Sequence, residues 1–168
     1  MPAMFRLRFV FDGEVMIDRE VRAVEARISD PSPAWPAVVQ AFRTIVRRAF
    51  DTEGRSTPAP WPQLAPRTQR QRQLLGYGAA HPILRRSGEL FGSITGGGGG
   101  FVESTKDRLA IGTADPVFWF HQSRLPRRRI PRRAMVNFTP DDRTELSRPV
   151  LNFVMGRDPN AARRPAAS

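Results

Sequence analysis

Residues 34–51, AWPAVVQAFRTIVRRAFD, decide the fold because their apolar members recur with the period of an α-helix. The resulting apolar stripe comprises Trp35, Val38, Val39, Phe42, Ile45, Val46, Ala49 and Phe50. A helix of this length spans roughly 27 Å at a rise of about 1.5 Å per residue. We therefore expect this helix to form the centre of the core, with Phe42 and Ile45 buried.

Two shorter patterns precede this helix. Residues 4–11 alternate between apolar and basic side chains, which predicts a half-buried strand whose apolar face carries Phe5, Leu7, Phe9 and Phe11. A second pattern has spacings of four, three and four, which places its members on one face of a helix. These members are Ile17, Val21, Val24 and Ile28. A strand over residues 15–17 is the less favoured alternative.

The segment after the long helix is predicted to alternate between short elements and irregular chain. Residues 54–66 are proline-rich and should be irregular, and residues 67–75 can form a polar helix. Residues 83–94 predict an apolar helix, although Gly88 and Gly92 each weaken it by up to about 1 kcal/mol relative to alanine. The five glycines at 96–100 favour a flexible connection over a hinge.

The next segment carries strand patterns. Residues 101–104 and 109–113 flank a short polar turn, which predicts a hairpin. Residues 117–121 read as a further strand, with Val117 and Trp119 on one face and Phe118 and Phe120 on the other. A strand that is apolar on both faces lies centrally in a fold or is covered by a partner.

The last segment predicts one capped helix. Thr139 can act as its N-cap and Pro140 suits its first position, whereas Pro149 should kink or end it. Residues 157–168 have the composition of a disordered tail. The fold class is therefore α+β: a single domain over residues 1–156, with a small, mostly antiparallel sheet packed on one long helix and extended loops rich in proline and arginine.

Composition restricts the class of partner. The formal net charge is +11, and only one of the 27 basic residues is lysine, Lys106, so the other 26 are arginine. Such a charge favours anionic partners, either nucleic acid or acidic faces of other subunits. The chain has no cysteine, which excludes a disulfide scaffold. We also expect no signal peptide and no membrane-spanning segment.

Several short motifs follow one another in a fixed order. They are Trp61-Pro62-Gln63-Leu64 before Thr68, Leu84-Arg85-Arg86-Ser87-Gly88-Glu89-Leu90 before Ser93-Ile94, Ile111-Gly112-Thr113, His121-Gln122, Ile130-Pro131-Arg132-Arg133, and Asp142. This order resembles the phage virion morphogenesis family, typified by the G protein of phage Mu, which includes tail-completion proteins. The resemblance covers residues 50–154. It departs from the family pattern at Ser123-Arg124, where Phe-Gly is usual, and at Met135, where an aromatic residue is usual.

The resemblance implies a structural virion protein that works by binding, without enzymatic activity or a cofactor. It implies a subunit of a ring at the virion neck or head-proximal tail end, six-fold favoured, assembled in the host cytoplasm. The implied partners are further copies of the chain, tail tube or terminator proteins, head–tail connector proteins, and genome DNA in the channel. The alternative, from charge alone, is a standalone basic nucleic-acid-binding protein.

Candidate site residues follow from these motifs. Those expected at a subunit or partner interface are Trp61, Leu64, Val117, Phe118, Trp119, His121, Gln122, Ile130, Pro131 and Arg133. The arginines without a counterpart in the motif, which are candidates for facing DNA, are Arg127, Arg128 and Arg129. These arginines lie in a loop at residues 125–133. We favour an arm between subunits as the role of this loop over a plain solvated loop.

Plainer roles compete for several of these residues. Trp61 and Leu64 are more often loop anchors than a binding site. We expect His121 and Gln122 to end a strand and to hydrogen-bond to nearby backbone. This role is favoured over a catalytic one, since no nucleophile signature accompanies the histidine. Capping and surface charge explain the acidic residues 141, 142 and 145 better than a metal site does.

Overall fold

A computed structural model describes residues 13–78, 81–124 and 130–161. The predicted strand at residues 4–11 lies outside these ranges, as do Arg127, Arg128 and Arg129. A 3-10 turn at Ser32–Ala34 precedes the long helix. The helices and strands, in chain order, are α1 Gly13–Ser29, α2 Trp35–Asp51, α3 Pro66–Leu74, α4 Glu89–Thr95, β1 Gly100–Ser104, β2 Leu109–Thr113, α5 Pro116–Gln122 and α6 Pro140–Val154.

Helix α2 forms the centre of the core, as its periodicity predicts. Phe42 and Ile45 are buried, and Phe50 is fully enclosed. The Phe50 ring meets Trp61 and Phe91 edge-on, with centroids 5.3 and 5.2 Å away. Helices α4 and α6 pack on α2, so one long helix organises elements from both halves of the chain.

Strands β1 and β2 form an antiparallel hairpin, which confirms the predicted α+β class. The pair Val102 and Ile111 lies opposite in the register, and Ile111 packs against the core. Every residue of β1 is exposed. The sheet is thus a two-stranded ribbon at the edge of a mostly helical domain.

Helix α6 begins as its sequence predicts but extends further. Thr139 Oγ1 accepts a hydrogen bond from the Asp142 amide at 3.1 Å, and the Asp142 carboxylate accepts one from the Thr139 amide at 2.8 Å. Pro149 was expected to kink or end the helix, and the second of these alternatives is wrong, since the helix continues to Val154. Pro149 is buried and α6 packs on α2, so packing outweighs the hydrogen bond that proline cannot make.

The predicted strand at residues 117–121 is wrong, because this segment is helix α5. Asp115 caps the helix by accepting a hydrogen bond from the Val117 amide at 2.8 Å, and Pro116 occupies a first-turn position. A short run of apolar residues does not distinguish a strand from a buried helix by periodicity. Here the two helix-start signals, the Asp115 cap and Pro116, prevail over the strand propensity of the aromatic residues.

The predicted helix at residues 83–94 is shorter in the structure, where α4 begins at Glu89. Leu84 and Gly88 both have positive φ, which interrupts helical geometry before that point. The polar helix α3 and the N-terminal helix α1 agree with their predictions. None of the helices in the described ranges is long and apolar enough to cross a membrane.

Candidate functional site

Three motif segments that are distant in sequence meet in a cluster that we call the loop clasp, formed by Trp61, Pro62, Gln63, Gln122 and residues 133–136. Trp61 is buried, and its indole Nε1 donates to the Ala134 carbonyl at 3.0 Å. The Arg133 guanidinium is buried as well. It donates to the Pro62 carbonyl at 2.8 Å and to the Gln63 carbonyl at 3.0 Å.

Gln122 joins α5 to the same clasp. Its Nε2 donates to the Val136 carbonyl at 2.7 Å, and its Oε1 accepts from the amides of Met135 and Val136, each at 3.1 Å. The side chain thus hydrogen-bonds to backbone groups that lie outside the hairpin and have no partner strand. The predicted hydrogen bonding of Gln122 to nearby backbone is confirmed, although the residue ends a helix and not a strand.

His121 lies beside the clasp, where its Nδ1–H tautomer donates to the Pro131 carbonyl at 3.3 Å. Burial lowers the pKa of His121; the bond to Pro131 opposes this shift, and the charge of Arg133 adds to it. The imidazole is therefore neutral at pH 7. In a catalytic triad a carboxylate holds Nδ1, whereas here that nitrogen faces a backbone carbonyl, as the structural interpretation expects.

The acidic residues at the start of α6 serve the fold. The Arg48 guanidinium lies 2.6 Å from the Asp142 carboxylate and 3.3 Å from that of Glu145. Burial would raise the pKa of Asp142, but hydrogen bonds from Thr139 and Arg48 outweigh it and hold the pKa below its ordinary value. Across the part of the chain that the structure describes, no three acidic or histidine side chains are grouped as a metal would need.

Helix α5 presents an apolar surface, which we call the α5 face. It comprises Val117, Trp119 and Phe120, of which Trp119 is 58% exposed. Phe118 instead packs against the core. Trp119 and Phe118 are thus divided as the sequence predicts, whereas Phe120, which the strand pattern placed on the same face as Phe118, is on the exposed side.

A second apolar surface lies on α1, and we call it the α1 face. It carries Ile17, Val21 and Ile28, and Ile17 is 66% exposed. The periodicity of α1 identified the apolar side of the helix but not whether the core covers it. Arg27 ties the helix to the domain, since its Nη1 donates to the Val154 carbonyl at 2.8 Å.

The remaining candidates differ in accessibility. Leu64 packs partly against the core, Ile130 is 37% exposed, and Pro131 is exposed. Arg133 is already engaged within its own chain, so its guanidinium is occupied before any partner binds. Sequence reasoning missed the backbone carbonyls of residues 62, 63 and 134, because carbonyl acceptors leave no mark on residue type.

Comparison of the chain with known protein families, with curated proteins and with solved structures finds no match. Two kinds of feature therefore carry the functional argument. One is the loop clasp, in which motif residues fix loop positions. The other is the pair of apolar faces on α1 and α5.

Proposed function

We propose that this chain is a structural protein of a tailed-phage virion that acts in tail completion or head–tail joining as a subunit of a homo-oligomeric ring. The observation that carries the proposal is the presence of two separate apolar faces, on α1 and α5. A closed ring of identical subunits requires each copy to offer two different surfaces that bind one another. Exposed apolar surface of this kind commonly marks protein–protein contact.

The loop clasp supports the proposal from a second direction. The motifs that resemble the phage virion morphogenesis family supply its contacts: Trp61 anchors one loop, Gln122 ends α5, and Arg133 joins the loops. These residues fix α5 relative to the domain and so orient the α5 face.

The proposed site of action is the virion neck or head-proximal tail end, with six-fold symmetry favoured. The partners are further copies, tail tube or terminator proteins, and connector proteins. The mechanism is binding, in which the ring caps the tail tube and presents a surface to the head. The net charge of +11 suits acidic neighbours and DNA passing along the axis.

Light scattering and negative-stain imaging of the purified protein test the ring. Ile17→Asp and Trp119→Asp should each abolish it, because a charge on either face opposes burial. Mixed together, the two variants should form dimers through their remaining intact faces. Ala26→Asp is the matched control, since residue 26 is exposed on the other side of α1. A wild-type monomer at all concentrations, with only one or two copies per virion, would overturn the ring.

The second candidate is a standalone nucleic-acid-binding protein, favoured by the net charge of +11 alone. It predicts a monomer that binds duplex DNA tightly. Each phosphate neutralised on duplex DNA contributes about −0.9 to the slope of log affinity against log salt. Replacing Arg127, Arg128 and Arg129 with alanine should flatten this slope by roughly two to three units if all three contact phosphate. An unchanged slope removes their DNA-facing role and leaves the ring proposal intact.

A further inference from the structure

Arg43 of α2 has an unusual environment for an arginine. Its Nε is buried and has no hydrogen-bond partner among the described residues. None of the ion pairs within those ranges includes Arg43 either. The terminal Nη1 and Nη2 atoms are not buried in this way and make no hydrogen bond within those ranges, so they can donate to a group from outside the chain.

The glycine segment at residues 96–100 surrounds this side chain. A Cβ at Gly96 would lie 2.7 Å from Arg43 Cζ, so a larger residue there would displace the guanidinium. Gly98 and Gly99 have positive φ, and within the part of the chain described their amides donate no hydrogen bond. Free amides on such a turn form concavities that accept anions.

Arg43 and Gly98 line the same cleft, which has a volume of about 140 Å³. Pockets for drug-sized ligands have volumes of about 300–1,000 Å³, so this cleft suits a small group such as a carboxylate better than a large ligand. Its other walls include the apolar side chains of Phe101 and Ile111. Arg43 and Val102 also line an adjoining groove of about 510 Å³ between α2 and the hairpin, together with Trp35 and Val39.

We propose that this cleft binds the carboxylate of an acidic segment on a partner protein. The guanidinium fork receives the two carboxylate oxygens, the Gly98 amide adds a third donor, and the adjoining groove accepts apolar side chains next to the acidic residue. Arg43 is the one charged residue that lines either cleft in the described chain, so its charge matches one carboxylate and not a phosphate dianion. The proposal does not depend on ring formation.

The test is an NMR titration of the full ¹⁵N-labelled chain with a blocked Val-Glu-Val peptide. The amide resonances of Gly98, Gly99 and Val102 report on binding. We expect a saturable shift that the matching Val-Gln-Val peptide does not produce. Arg43→Gln should weaken binding by about ten- to hundredfold, the usual loss for a hydrogen-bonded charge. Arg43→Lys should recover only part of it, since it keeps the charge but loses the fork.

Arg47→Gln is the control, because it removes the same charge from an exposed position on the same helix. Its affinity for the glutamate peptide should equal that of the wild type. Equal shifts with the glutamine peptide, or an undiminished affinity in Arg43→Gln with an unchanged melting temperature, would overturn the site. Stronger saturation by inorganic phosphate than by the peptide would overturn the carboxylate assignment. None of these outcomes bears on the ring, which has its own test.

Discussion

Replacing Gln122 with alanine should destabilise the protein by about 2–4 kcal/mol. The side chain makes three hydrogen bonds to the backbone of residues 135 and 136, and an ordinary hydrogen bond contributes about 1 kcal/mol net. Met135 is fully buried, so water does not readily replace the lost acceptor at its amide. The loss should therefore lie above that of a surface substitution, which is usually within about 0.5 kcal/mol.

Urea denaturation at several pH values measures this effect, with Gln122→Glu as the informative companion. A neutral glutamic acid can donate to the Val136 carbonyl and accept from both amides, whereas the ionised form can only accept. The two amides favour the ionised form and the Val136 carbonyl favours the acid form. We expect the contact with the carbonyl, the shortest of the three at 2.7 Å, to prevail and to raise the pKa of the introduced carboxyl above its unfolded value of about 4.3. The stability gained from the acid form is fully present below that unfolded value and is lost as pH rises through the folded pKa.

Two results would refute this reasoning. A change of less than about 0.5 kcal/mol for Gln122→Ala would mean that the loop clasp contributes nothing beyond an average surface contact. A constant stability difference between Gln122→Glu and the wild type from pH 3 to pH 8 would mean that the carboxamide nitrogen does not donate to residue 136.

The remaining predictions concern the core and the Arg48–Asp142 pair. Phe42→Ala should cost about 3–5 kcal/mol, because the ring is buried and meets Phe138 edge-on, and an unchanged melting temperature would contradict this. Asp142→Asn should lower the free energy of unfolding at pH 7, and that free energy should then fall less steeply as the pH is lowered. The lowered pKa of Asp142 gives stability that is present above the unfolded value of about 3.9 and lost as pH falls through the folded pKa. Asp141→Asn, at an exposed position, is the control and should change the free energy of unfolding at pH 7 by less than about 0.5 kcal/mol.

Sequence patterns predicted the elements whose signals are local. The stripe on α2 is long enough to exclude a strand, and the cap at Thr139 fixes the start of α6 through contacts within four residues. The hairpin is equally local, since a short polar turn joins two apolar runs. In each case the residues that determine the structure are neighbours in the chain.

The errors have two causes. Tertiary contacts decide at Pro149, where packing on α2 lets the helix continue through a proline. The error at α5 is local, because the aspartate cap that starts this helix outweighs the strand propensity of its aromatic residues. The clasp was not foreseeable as a cluster, because Arg133 recognises two carbonyls about 70 positions away and any residue type supplies a carbonyl.

The long sequence separation within the loop clasp also determines when it forms during folding. Trp61 and Ala134 are 73 positions apart, and closing a loop of that length carries an entropic cost that the short hairpin turn avoids. The hairpin and α2 should therefore form early, and the clasp should close late. Contacts made after the rate-limiting step govern unfolding more than folding. Clasp substitutions should then speed unfolding while the folding rate stays nearly constant, so the clasp sets how long each folded copy persists.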